Sequence, residues 1–187
     1  VTGNTVVVAV GELMPDADER RALAASYGVA PGRFVLSTFH RPENVDDAKT
    51  LETILGQLVA LPFPVLLPLH PRALARVESS GLGGLLDHIA VVEPIGYREF
   101  LGLGAESAFV VSVSGGVQEE VSVYKRPILV VRRSTERPEV IGTFAERVEP
   151  GPDITRVAQE WANDHEAVHT RLAQTPSPNG DVSASHR

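Results

Sequence analysis

The 187-residue chain contains no cysteine, which excludes disulfides, thiolate nucleophiles and thiolate-bound zinc. It has no apolar run near the length of a membrane span. It also lacks a charged-then-apolar leader with a small-residue cleavage site, and the expectation is a cytoplasmic protein without membrane contact. Positive charge is in deficit. The 17 Lys and Arg against 24 Asp and Glu leave a net charge of -7, which argues against a nucleic-acid partner, since such proteins carry a basic face. What is present is ordinary for a globular chain. Apolar residues make up 43% and charged residues 22%, and the length suits one domain with a real core.

Apolar and helical segments alternate with a regular beat. Strands are expected over Phe34–Phe39, Phe63–Leu69, Ile89–Pro94, Ser107–Val113, Pro127–Arg132 and Phe144–Val148. Helices are expected over Asp16–Tyr27, Val45–Leu61, Arg72–Ser79, Tyr97–Leu103, Val117–Tyr124 and Asp153–Leu172. Asn44 or Asp46 is the candidate N-cap of the second helix and Asp153 that of the last. The opening "VTGNTVVVAVGELMP" reads as the interior of a longer chain, and its "VVVAV" run suits either a strand or the start of a buried helix. From Gln174 the polar "QTPSPNGDVSASHR" reads as a flexible tail, leaving residues 1–173 as the domain. Near-continuous apolar strands alternating with helices predict an α/β fold, a doubly wound parallel sheet of Rossmann-like kind.

In such sheets ligands bind at the carboxyl ends of the strands, and the unusual polar clusters fall there. "HRPEN" follows the first of these strands, "HPR" the second, "SGG" the fourth and "RRSTERPE" the fifth. Ser114, Gly115 and Gly116 lie where a strand turns into a helix. Unpaired N–H groups at a helix start favour an anion, and glycine lets the backbone come close to one, so the turn suits a diphosphate. Equally, two glycines can simply make a tight turn. Glu120, one helical turn further on, could accept both hydroxyls of a ribose, and Arg137 could add charge-assisted bonds to phosphate. His40 suits either a site role or the capping of a following turn, and His70 either a site lining or a structural hydrogen bond. His88, His165, His169 and His186 read as solvated surface, Trp161 as core, and Asp16, Asp18 and Glu19 as complements to a helix dipole.

Three segments taken together, "TFHRPEN" at 38–44, "SGGVQEE" at 114–120 and "TERPE" at 135–139, resemble the UDP-N-acetylglucosamine 2-epimerase family. "VTGNT" at the start and "GYREF" at 96–100 are similar to further segments of that family, and the likeness runs to about residue 170. The resemblance implies two Rossmann-like domains of the GT-B glycosyltransferase kind, this chain being the C-terminal, UDP-binding one. By the same resemblance Ser114, Gly115 and Gly116 contact the diphosphate, Glu120 the ribose and Arg137 the UDP. Phe100 borders the uracil and His40 faces the reacting sugar.

The family inverts C2 of UDP-N-acetylglucosamine by eliminating UDP to an unsaturated sugar and adding it back. The departing diphosphate needs donors, and the C2 proton needs carboxylates, which in the family come chiefly from the first domain. The resemblance therefore implies an isomerase that is inactive without its N-terminal half, needs no metal or other cofactor, and is a homodimer when complete. Val113 stands where the family has Asp, Pro42 where many bacterial members have a second Arg, and Asp46 where Gly is usual. Two other readings stand beside it: a non-catalytic nucleotide-sugar binding module, and the donor domain of a GT-B glycosyltransferase. Residues 135–139 weigh against the latter.

Overall fold

A computed structural model of the chain describes residues 5–38, 47–113, 117–132 and 141–180. Among them, six strands form one parallel sheet: β1 (Val35–Thr38), β2 (Val65–Pro68), β3 (Ala90–Val92), β4 (Phe109–Ser112), β5 (Ile128–Val131) and β6 (Ala145–Val148). Their order is β3-β2-β1-β4-β5-β6, so the winding reverses between β1 and β4. Those two strands pair in register from Val35 with Phe109 to Thr38 with Ser112. This is the doubly wound Rossmann-like arrangement the strand–helix alternation predicts.

The helices are α1 (Thr5–Leu13), α2 (Ala17–Ser26), α3 (Ala48–Val59), α4 (Pro71–Ser79), α5 (Gly83–Leu86), α6 (Tyr97–Glu106), α7 (Val117–Val123), α8 (Asp153–Asn163) and α9 (His165–Gln174). Alternate strand residues point to opposite faces, and each face has its own core. Val35, Leu67, Phe109, Val111 and Leu129 pack with Leu51, Ile54, Leu55 and Leu58 of α3, Val77 of α4, and Ile154 and Val157 of α8. On the other face Leu36, Leu66, Val110, Ile128 and Val130 pack with Ala24 of α2, Phe100 and Leu103 of α6, and Val117 and Val121 of α7. Both faces being covered explains why the inner strands are rich in apolar residues.

Local signals set the helix ends. Asp16 and Glu19 form a reciprocal capping box at the start of α2. At its end Gly28 takes φ +71°, and the Val29 and Gly28 N–H groups reach back to the Ala24 and Ala25 carbonyls. That left-handed step favours glycine. Asp47, not Asn44 or Asp46, caps α3, its carboxylate accepting from the N–H groups of Lys49 and Thr50. Asn44 and Asp46 lie outside the described residues. The "VVVAV" run is helical: Val7 and Val10, one turn apart, bury against Leu101 and Val123, so α1 rests on the outer side of α6 and α7.

Three expectations about the chain's C-terminal part are corrected. First, the single helix from Asp153 to Leu172 is two helices, broken at Asp164 (φ -137°, ψ 37°), where Asn163 and Asp164 are both weak helix formers. Asp153 is the first helical residue, with Pro152 before it, and pairs with Arg156 at 2.9 Å instead of capping. Second, His165 and His169 on α9 are partly buried rather than solvated surface. The His165 ring stands 5.9 Å from that of Phe63 and 6.0 Å from that of His169. His169 Nε2 lies 2.6 Å from the Ala108 carbonyl oxygen, and as the neutral tautomer its N–H donates there. Third, Gln174 closes α9, and residues 175–180 are tied down. The Lys125 ammonium donates to the Thr175 carbonyl at 2.7 Å, and the Ser177 and Ser122 hydroxyls, both buried, are 2.8 Å apart. Residues 181–187 lie outside the described residues.

His169 gives the fold a pH dependence of defined sign. Burial, foremost, pushes its pKa below the usual 6.5, against a raising effect of the Ala108 hydrogen bond, with Arg126 and His165 also lowering it. A depressed folded value means that the unfolded chain takes up the proton first. The stabilising contribution is therefore full above about 6.5 and is lost as pH falls towards and through the folded value. Thermal melts of the parent and of His169→Gln should diverge above pH 6.5 and converge on acidification. Parallel profiles would show that His169 does not carry the effect.

Candidate functional site

The winding reversal puts the carboxyl ends of β1 and β4 side by side. Thr38 Oγ1 and Ser112 Oγ are 2.8 Å apart and buried, a hydroxyl pair that joins the two strands at their ends. Beyond Thr38 the chain enters residues 39–46, and beyond Val113 residues 114–116, all outside the described residues. The predicted His40, Ser114, Gly115 and Gly116 fall on these segments, and Arg137 on residues 133–140, so their side-chain geometry is not described. The same holds for Arg41, Pro42, Glu43 and Asn44. Val113 is buried within the apolar core against α3, α4 and α8.

Two predicted site residues are described, and they stand on neighbouring helices. Glu120 is on α7, the helix that follows residues 114–116. It is partly buried, and its pKa is raised above the usual 4.5, chiefly by burial and further by Glu119, against a lowering hydrogen bond from Tyr97. Gln118 and Glu119, the two residues before it, are buried, and the Ser122 hydroxyl donates to the Glu119 carbonyl at 2.7 Å. Phe100 on α6 is 8% exposed and packs in the core under α6 and α7, so only an edge of its ring is open to a ligand.

Tyr97, the first residue of α6, was quoted within "GYREF" but given no role from sequence. It stands close enough to Glu120 to feel its charge, and it is 41% exposed. Its pKa is raised, first by burial and then by the Glu120 charge, so it remains a donor at neutral pH.

His70 is exposed at the end of β2, and its Nδ1 accepts from the Arg72 N–H at 3.2 Å, capping α4 ahead of Pro71. This is the structural hydrogen bond of its two readings. Trp161 is partly buried against the core and meets Phe109 edge-on, 5.6 Å between ring centres. Asp16 and Glu19 serve the start of α2, and Glu19 also pairs with Arg98 at 2.7 Å. Among the described residues no group of three or more His, Asp or Glu is placed to hold a metal ion, and no helix is long and apolar enough to cross a membrane. The arrangement can therefore offer one partly buried carboxylate near a partly exposed aromatic residue.

Comparison with known proteins bears on this site. A family model described as UDP-N-acetylglucosamine 2-epimerase matches residues 1–187. A UDP-N-acetylglucosamine 2-epimerase of Bacillus subtilis is 30% identical over 194 residues, covering 100% of this chain and 50% of its own length. A UDP-2,3-diacetamido-2,3-dideoxy-D-glucuronate 2-epimerase of Pseudomonas aeruginosa is 35% identical over 141 residues, covering 72% of this chain and 39% of its own. Among solved structures, the Methanocaldococcus jannaschii UDP-GlcNAc 2-epimerase in complex with UDP-GlcNAc and UDP superposes with a TM-score of 0.78 at 28% identity. That match covers 100% of this chain and 52% of the other. The chain spans about half the length of the curated relatives it matches.

Proposed function

The chain belongs to the UDP-N-acetylglucosamine 2-epimerase family, and from that premise we propose that it is the UDP-holding half of such an enzyme. The observation that carries the reading is Glu120. It is a partly buried carboxylate on the helix that follows the strand at the winding reversal. A ribose diol is the ligand that such an acceptor fits. In this proposal Ser114, Gly115 and Gly116 give backbone N–H groups to the diphosphate, Arg137 pairs with its charge, and Phe100 presents its edge to the uracil. His40 faces the junction of sugar and diphosphate.

The chemistry divides between two halves. A base takes the C2 proton, the electron pair left behind forms the C1–C2 double bond, and the C1–O bond breaks with its pair leaving on UDP. Re-addition of UDP and of a proton on the opposite face gives the C2 epimer. This chain's share is to stabilise the diphosphate as it leaves, through fixed donors and Arg137. The base comes from the other half, a Rossmann-like domain completing a GT-B pair, supplied in cis or in trans, and the complete enzyme is a homodimer. The sugar is chosen mainly across the cleft, and the Pseudomonas relative, named for a different UDP-linked sugar, is consistent with that division.

Calorimetry with UDP tests the reading. Glu120→Ala should weaken binding by about 1–3 kcal/mol, the cost of leaving ribose hydroxyls without an acceptor. Arg137→Ala should cost a similar amount, and that loss should shrink as salt rises, because it is charge-based. UDP binding unchanged in both variants would move the cradle elsewhere.

A further inference from the structure

α6 is the helix that carries Phe100, and glycines bring its neighbours close on two flanks. On one, a Cβ at Gly102 would stand 3.1 Å from Pro15 Cγ, just before α2, and 3.2 Å from Leu23 Cδ2 on it. On the other, a Cβ at Gly104 would stand 2.6 Å from Tyr124 Oη and 2.9 Å from its Cζ, well inside contact distance. Glycine is a poor helix former, so two of them within α6 are a cost that the close approach answers. The Tyr124 hydroxyl is buried without a hydrogen-bond partner among the described residues, although a buried hydroxyl is ordinarily paired. Shape explains its place: it fills the space that a side chain at Gly104 would take.

The helix register carries this contact to the site. α6 and α7 each return from the carboxyl end of one parallel strand to the start of the next, and both cover the same face of the sheet, so they run in the same direction. Residues four apart lie one above the other on a helix. Phe100 stands one turn before Gly104, and Glu120 one turn before Tyr124, whose N–H bonds to the Glu120 carbonyl at 3.2 Å. The Gly104–Tyr124 contact thus lies one turn below Phe100 and Glu120 on the two helices that carry them. The Tyr124 end is held in turn. Lys125, at φ 60°, lets the Arg126 N–H reach the Val121 carbonyl at 3.1 Å, and its ammonium donates to the Thr175 carbonyl at 2.7 Å. Resting on the reading of Phe100 at the uracil and Glu120 at the ribose, we propose that Gly104 and Tyr124 are a positioning pair: their contact sets the spacing of α6 and α7 at which one uridine meets both residues.

The test is calorimetry with UDP and with inorganic pyrophosphate, which reads the diphosphate cradle without the nucleoside, alongside thermal melts. Gly104→Ala forces the helices apart, and the contacts of Gly102 leave α6 little room to yield towards α2. It should weaken UDP about three- to tenfold, the worth of one hydrogen bond put out of reach, and leave pyrophosphate unchanged. Adding Tyr124→Leu takes away the ring atoms and the hydroxyl that the new methyl meets, so the double variant should regain UDP binding. Tyr124→Phe tests the same contact without adding an atom, and it decides alone if Gly104→Ala does not fold. Having lost an unpaired hydroxyl, it should melt no lower than the parent yet bind UDP more weakly. If the folded variants bind UDP like the parent, if UDP and pyrophosphate weaken by the same factor, or if the double variant regains nothing, the pair is packing alone and the proposal is overturned. If Glu120→Ala itself binds UDP like the parent, the ribose assignment has failed, and the positioning role fails with it for that separate reason.

Discussion

Phe109→Ala should remove about 3–5 kcal/mol of stability, enough to lower the melting temperature by roughly 10 °C. Phe109 opens β4, the strand at the winding reversal, and is fully buried. Its ring meets Phe63 at 6.4 Å and Trp161 edge-on at 5.6 Å, and Phe63 in turn meets His165. The side chain thus ties the start of the central strand to the β2 lead-in, to α8 and, through Phe63, to α9. Truncation leaves a cavity whose walls are held by strands on both sides, so the site collapses little. The second observable is coupling. Trp161→Ala loses part of its own ring contact once Phe109 is gone, so the double variant should be less destabilised than the sum of the singles. Additive losses in chemical denaturation would show that the edge-on pair carries no energy of its own.

Much of this architecture was legible in the residues, for reasons that also explain the misses. β4 and β5 are buried at every residue and almost wholly apolar, so each reads as a strand without further context. The α1 run was ambiguous because its valines favour strands while the contacts that make it helical lie on α6 and α7, far along the chain. The break at Asp164 was hidden because helical spacing continues on both sides of it, and only the packing of His165 on Phe63 redirects the second helix. The burial of His169 depends on the carbonyl of Ala108, a main-chain atom that no side-chain pattern signals. Glu120 is a candidate from sequence because it lies one helical turn beyond two glycines, and its role is part of the proposal.

Residues 1–187 alone should show no epimerase turnover, and a first-domain half supplied in cis or in trans should restore it. Removing a proton from carbon needs a base held on the sugar, and this chain is proposed to supply the diphosphate side of the cleft. His40 could assist the departure of UDP, yet that step is coupled to proton removal in one elimination, so without the base neither proceeds. In the reconstituted enzyme His40→Ala should abolish turnover without abolishing UDP binding, which separates a role in the chemistry from a role in holding the nucleotide. The direct measurement is incubation with UDP-N-acetylglucosamine in deuterated water, read by magnetic resonance at C2. The account predicts no deuterium at C2 with this chain alone and incorporation once the first half is added. Incorporation by the chain alone would show that it carries its own base, and would contradict the division of labour proposed for it.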